Sequence, residues 1–300
     1  MRPYQLFSDS ACDIPEQLLK EHQINLIPFY VTFDQETYYK EHIDISKETF
    51  YETLLSGKIY AKTSLPSVQD YIGMFKPALK EGNDILCLCL TQKFSGSYQS
   101  ALSAKQILED QYPESTISVI DSIQATGGQG LLMLQIAAMK EAGLSLEEAT
   151  EEANKLKNTA RIMFTVNTLD YLSKGRRIGK VISLAKDMLD LKPLIQLKDG
   201  ELIPYAIVRG RKKSLDKVFD MVVEYFKENN ENPDDYDFCI ANATTMDDAI
   251  YLRDKLETYL ERKLNYPVFQ IGVTIGTYTG PGAIGICFIK RYNKHMFKMV

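Results

Sequence analysis

The sequence predicts an α/β protein of two domains. An N-terminal α/β/α domain is built on a parallel sheet, and a smaller C-terminal α/β domain on a mixed one. Three observations carry this. In the first half, short runs of branched and aromatic residues alternate with stretches whose apolar residues recur at helical spacing. In the second half, Asp199-Gly200 parts two β-rich runs and suits a tight hairpin turn, which a purely parallel sheet does not contain. Finally, 300 residues exceed what one hydrophobic core usually organises. The expected division is residues 1–159 and residues 160–294.

Taken in order, the first domain offers strands at Tyr4–Phe7, Ile24–Phe33, Ile85–Leu90 and Ile117–Ile120. Helical spacing places helices at Pro15–His22, Lys47–Leu55, Val68–Leu79, Tyr98–Leu108 and Leu131–Ala142. Such alternation gives a mainly parallel sheet covered on both faces. Leu146–Leu156 reads as an acidic amphipathic helix leading into a strand, Arg161–Val166. The hairpin follows, Leu194–Leu197 with Leu202–Val208, then a helix, Leu215–Phe226, and a polar stretch, Glu228–Asp235. A strand Phe238–Ala241, a helix Asp247–Leu260 and two closing strands, Val268–Ile275 and Ala283–Ile289, complete the chain.

Composition narrows the function. Apolar residues make up 45% and charged residues 25%, the balance of an ordinary globular protein. A net charge of −5 argues against nucleic acid as the main partner. No apolar run approaches the roughly 20 residues of a membrane-spanning helix. The opening Met1-Arg2-Pro3-Tyr4 enters a strand-like run without a signal-peptide core. The five cysteines are scattered, with no CxxC pair and no histidine beside them, so no metal site is expected. Cys87 and Cys89 alternate and point to one side of a strand. Free thiols of this kind fit a reducing cytoplasm, the expected location.

Four segments combine small, hydroxyl and glycine residues where ligands bind in open α/β sheets, at strand ends. In Ser8-Asp9-Ser10 with Asp13-Ile14-Pro15, Asp13 suits the cap of the first helix and Ser10 is a candidate for a central cleft. In Thr63-Ser64-Leu65-Pro66-Ser67, Ser67 suits a helix cap, which leaves the Thr63 hydroxyl free for another partner. In Ser95-Gly96-Ser97, Gly96 permits close approach to the backbone, Ser95 adds a hydroxyl, and the helix start favours an anion, carboxylate or phosphate. Taken alone, this is also what a plain helix start requires. Gly276-Thr277-Tyr278-Thr279-Gly280-Pro281-Gly282 is richer in glycine and hydroxyls than a hairpin connection needs. Two basic clusters stand against the acidic whole. One is Lys174 to Lys180; the other, Arg209, Arg211, Lys212 and Lys213, reads as a helix start.

Taken together, the chain resembles the DegV family. The resemblance is carried by Asp9-Ser10 with Asp13-Ile14-Pro15, Thr63-Ser64-Leu65-Pro66-Ser67, and Ser95-Gly96-Ser97-Tyr98-Gln99-Ser100-Ala101. It continues through Val119-Ile120-Asp121-Ser122, Thr168 to Leu172, Lys174 to Ile178, and Gly280-Pro281-Gly282, in the family's order from about residue 5 to about residue 291. It implies a non-catalytic, lipid-binding protein that takes a long-chain fatty acid, such as palmitate, as ligand in a tunnel between the two domains and needs no cofactor. The carboxylate falls to Thr63 and Ser95, with Gly96, Ser97 and Tyr278 beside them and Ser10, Thr277 and Thr279 as further pocket candidates. It also implies a partner, a separate ATP-dependent fatty acid kinase that phosphorylates the carboxyl for phospholipid synthesis. Lys174, Arg176 and Arg177 are the residues expected to face it. Two positions depart from the family pattern: Tyr278 stands at a histidine position, and Arg176 at a glycine position.

Leu131, Met133 and Met163 are candidates for the tunnel wall by apolarity alone. A lipid buffer without a kinase partner is an open alternative. A kinase of small hydroxyketones, related in fold to a dihydroxyacetone kinase subunit, is another, but His22, His42 and His295 all lie outside the four segments. A serine hydrolase is weaker, because Ser95 has neither a Gly-x-Ser-x-Gly context nor a histidine nearby in these motifs.

Overall fold

The computed structural model describes residues 2–56, 60–184 and 190–293. Met1, residue 294 and His295, which figure in the sequence expectations, lie outside the described residues. The N-terminal half runs β1 (Tyr4–Asp9), α1 (Glu16–Glu21), β2 (Ile24–Ile27), β3 (Tyr30–Thr32), β4 (Tyr39–Lys40) and α2 (Lys47–Ser56). It continues through β5 (Lys62–Ser64), α3 (Val68–Lys80), β6 (Asp84–Cys89), α4 (Ser97–Gln111), β7 (Ile117–Asp121), α5 (Thr126–Glu141) and α6 (Leu146–Leu156). Then come β8 (Arg161–Thr165), α7 (Asp170–Lys174), β9 (Leu191–Lys198), β10 (Glu201–Arg209) and α8 (Arg211–Asn229). The last elements are β11 (Tyr236–Asn242), α9 (Met246–Leu260), β12 (Phe269–Gln270), α10 (Val273–Thr279) and β13 (Ile284–Lys290).

The first sheet is parallel, in the order β2-β1-β6-β7. Every residue of β6 is buried, as expected where helices cover both faces. On one face Tyr71 and Phe75 of α3 and Ala101 and Leu108 of α4 pack with Phe7 and Ile85. Helix α3 starts where Ser67 accepts a bond from the Asp70 amide and Asp70 answers at the Ser67 amide, a complete capping box. The run Ile24–Phe33 is not one strand. Pro28 has no N–H for the ladder, so β2 stops at Ile27, and β3 joins a separate three-stranded sheet, β4-β3-β5.

The second sheet is mixed, in the order β10-β9-β8-β13-β11-β12, and at six strands it is the wider of the two. Asp199 and Gly200 both adopt positive φ at the β9–β10 turn, the geometry such a hairpin needs. Helices α8 and α9 cover one face through Leu215, Val218, Leu252 and Leu256. Helix α5 covers the other face and is buried from Thr126 to Ala137. It begins five residues before the expected Leu131, at Thr126, and the glycines of its first turns are sites of close approach. A Cβ on Gly127 would lie 2.8 Å from the Cys239 sulfur and 2.9 Å from that of Cys287.

The largest departure from expectation is at Val268–Ile275. Only Phe269 and Gln270 pair as a strand, parallel to β11, and the chain then turns into helix α10. Its start is stabilised from outside: the Gly272 amide donates to Asp13 Oδ1 (2.8 Å) and the Thr274 amide to Glu41 Oε1 (3.1 Å). Asp13 therefore does not cap α1, whose N-cap is Pro15. All five cysteines are buried free thiols.

Candidate functional site

Between the two sheets lies a cavity of about 450 Å³. Its walls are apolar, with Phe29 and Leu90 from the first half and Ile162, Phe164, Leu197 and Ile284 from the second sheet. Polar groups enter from several elements: Thr63 on β5, Gln92, Ser95 and Gly96 between β6 and α4, Thr126 on α5, Arg177 after α7, and Thr274, Tyr278 and Thr279 on α10. Strand β5 is held by β3, with Thr63 opposite Val31, and this pairing fixes the threonine's height in the cavity.

The hydroxyls are arranged as donors. Thr63 Oγ1 and the Tyr278 hydroxyl share one hydrogen bond of 2.6 Å, so one of their two protons remains to be donated elsewhere. The Ser97 amide donates to Ser95 Oγ at 3.1 Å, which occupies that oxygen as an acceptor and leaves its proton free. An ionised carboxylate only accepts hydrogen bonds, so it complements this set. The first-turn amides of α4, which have no intrahelical acceptors, add partial positive charge beside Ser95.

Arg177 is the cation of the cavity wall. Its Nε and Nη2 both donate to the Phe94 carbonyl, at 3.2 and 3.0 Å, and its Nη1 donates to the Gly175 carbonyl at 2.7 Å. The guanidinium carbon lies 4.6 Å from the centre of the Tyr278 ring. Gly175 makes room for that ring: a Cβ there would sit 2.2 Å from Tyr278 Cδ1. Arg177 was expected on a partner surface and instead turns inward. Lys174 and Arg176 are exposed, with Lys174 Nζ 3.1 Å from the centre of the Tyr60 ring. Arg176 takes a φ of 58°, the left-handed conformation that a glycine adopts without strain.

Other expected residues sit elsewhere. Ser97 is wholly buried and absent from the cavity wall: its hydroxyl donates to Asp9 Oδ2 (2.8 Å) and is bonded to the Tyr71 hydroxyl (2.6 Å). Ser10 is also off the wall, donating to Glu41 Oε2 at 2.6 Å and accepting from the Phe29 amide. Thr277 spends its hydroxyl on the Val273 carbonyl and does not reach the wall. Thr279 does line it, with its proton given to the Ile275 carbonyl. Leu131, Met133 and Met163 are core residues rather than cavity lining.

Three buried carboxylates stand behind the wall, Asp9, Asp13 and Glu41. Asp9 accepts from the Leu90 amide, Ser97 and Gln129, and burial pushes its pKa up to about 6. Burial pushes Asp13 up to about 7, against the opposing pull of Lys47. Glu41 gathers Ser10 and both the amide and hydroxyl of Thr274, itself a wall residue. Asp9 lies inside a motif, but Glu41 carries no local signal, since its partners are distant in sequence. Among the described residues no group of histidine, cysteine and carboxylate side chains is placed to hold a metal ion.

Comparison with known proteins identifies relatives over nearly the full length. A family model described as an uncharacterised protein family, DegV, matches residues 4–291. A DegV domain-containing protein of Clostridium perfringens is 32% identical over 297 residues, covering 96% of this chain and 98% of the relative. A solved stearic acid-binding protein from Eubacterium ventriosum has a TM-score of 0.92 and 38% identity, covering 96% of this chain and 99% of its own. A DegV family protein from Thermus thermophilus, described by its fatty acid binding, has a TM-score of 0.85 and 26% identity, with 97% and 100% covered.

Proposed function

The chain belongs to the DegV family, and from that premise we propose that it binds a long-chain fatty acid in the cavity between its sheets. The carboxylate lies at the Thr63–Ser95 end. The observation that carries this is the convergence of hydroxyls from β5, the turn before α4, and α10 at one side of a mainly apolar cavity. The stearic acid held by the 38%-identical relative supports it.

The two ends of the ligand contribute differently. Each buried CH₂ contributes about 0.8 kcal/mol, so the tail supplies most of the affinity. The head sets the register. On arrival, the carboxylate replaces the Thr63–Tyr278 bond with one bond from each hydroxyl, while Ser95 donates its free proton and Gly96 allows close approach. On this reading residues 1–159 supply Thr63 and Ser95, and residues 160–294 close the tunnel with Tyr278.

The finer role we propose is substrate presentation. A separate ATP-dependent kinase phosphorylates the exposed carboxyl oxygen, and this chain holds the acid without itself catalysing the transfer. Exposed Lys174 and Arg176 are the contacts it offers, and the cytoplasm, where free thiols persist, is its place of action. Two measurements test the proposal. Solvent extraction and mass spectrometry of freshly purified protein should yield a long-chain fatty acid. Repeatedly empty extracts, with no rise in melting temperature on adding palmitate or oleate, would reject lipid binding. Labelled phosphate should enter the bound lipid when kinase and ATP are added; if it does not, while the lipid stays bound, the protein is a buffer.

A further inference from the structure

Arg177 touches both halves of the head-group site, and its own charge is uncompensated. Among the described residues it forms no ion pair with a carboxylate. Its hydrogen bonds go instead to main-chain oxygens, twice to Phe94, immediately before Ser95, and once to Gly175. Its face stacks on Tyr278, whose hydroxyl bonds Thr63. A continuous set of contacts thus runs from the Ser95 turn through Arg177 and Tyr278 to Thr63.

We infer that Arg177 is the positioning residue of the head-group site, tying the Phe94–Ser95 turn to the Tyr278 ring so that hydroxyls from separate elements converge on one carboxylate. This rests on the reading that the cavity takes a fatty acid. Three features favour it. Paired donation to a single carbonyl fixes the guanidinium plane, which a lysine cannot reproduce. Gly175 leaves the space in which the ring lies, so the ring has a seat as well as a stacking partner. Because the donors are committed to carbonyls, the cation draws the carboxylate in without clamping both its oxygens. One oxygen is left open to attack a phosphoryl group, which a bidentate ion pair would oppose.

The test is a double-mutant cycle read with two ligands, palmitate and its methyl ester. Wild type, Arg177→Ala, Arg177→Lys, Tyr278→Phe and the Arg177→Ala/Tyr278→Phe pair are compared, with melting temperatures recorded alongside. Arg177→Ala should weaken palmitate about tenfold, within the range of a desolvated cation–π contact. It should leave the methyl ester within about twofold, since the ester presents no anion for the hydroxyls and the cation to hold. The paired variant should be little worse than Arg177→Ala alone, and Arg177→Lys should recover less than half of the lost affinity. Equal losses for both ligands would assign Arg177 a merely structural role. Strict additivity, or full rescue by lysine, would equally overturn the inference. If Arg177→Ala does not fold, Arg177→Lys with Tyr278→Phe carries the same cycle. Wild-type protein that binds no palmitate would instead refute the fatty acid reading itself.

Discussion

Replacing Thr63 with valine removes a hydroxyl while keeping the branched shape that β5 accommodates. Thr63 is half-buried, and Tyr278, its hydrogen-bond partner at 2.6 Å, is half-buried too. In the unloaded protein the tyrosine turns to water, and the loss is that of one ordinary hydrogen bond, about 1 kcal/mol. Once a carboxylate is bound, the missing hydroxyl costs a charge-assisted bond, about 1.5–3 kcal/mol, or roughly a 10- to 150-fold rise in Kd. Titration calorimetry with palmitate, paired with thermal melts of the delipidated protein, separates the two effects. Affinity should fall by that factor while the melting temperature drops by no more than about 2–4 °C. A Kd within twofold of wild type, with the fold intact, would show that Thr63 does not hold the head group.

Three further outcomes follow from the packing. Gly175→Ala places a methyl 2.2 Å from the Tyr278 ring, so the ring must leave its seat; palmitate affinity should fall at least as far as in Tyr278→Phe. Equal affinities for Gly175→Ala and wild type would mean the ring position is unimportant. Gly272→Ala brings a Cβ to 2.4 Å from Glu41 Oε1 and 2.5 Å from Asp13 Oδ1, which should destabilise the protein by about 2–4 kcal/mol in urea unfolding; a loss below about 0.5 kcal/mol contradicts the tight seat. The pKa values of Asp9 and Asp13 are raised in the fold, chiefly by burial, to about 6 and about 7. Their favourable contribution is therefore complete below about pH 4 and lost as pH rises through 6 and 7. Stability should decline from pH 5 to 8, and Asp13→Asn, which keeps an oxygen for the Gly272 amide, should recover up to ~4 kcal/mol at pH 8. Parallel profiles for Asp13→Asn and wild type would remove Asp13 as the source.

Much of the fold was legible because its causes are local. Apolar periodicity located α3, α6 and α9 to within a residue or so, and the Ser67 cap and the Asp199-Gly200 turn act through neighbours in sequence. The spare hydroxyl of Thr63 was legible locally, whereas Ser95 alone also suits a plain helix start, and the carboxylate roles of Ser95 and Tyr278 rest on the resemblance to the DegV family. What escaped was decided at long range. The apolar alternation in Val268–Ile275 favours a strand, but carboxylates more than 230 positions away stabilise the start of a helix. The glycines opening α5 lower its helix propensity and make sense only against the sulfurs they approach. Ser97 and Ser10 were site candidates because Asp9 and Glu41, which take their protons, lie 88 and 31 positions away in sequence. A basic run suggests a solvated surface, and nothing within it told that Arg177 turns towards Phe94 and Tyr278.

The most direct test of the central claim is a crystal structure of the protein with palmitate. The carboxylate should lie within hydrogen-bonding distance of Thr63 Oγ1, Ser95 Oγ and the Tyr278 hydroxyl, with the Thr63–Tyr278 bond opened and the tail running between the two sheets. A carboxylate placed away from both Thr63 and Ser95, or a tail lying outside the cavity, would contradict the account.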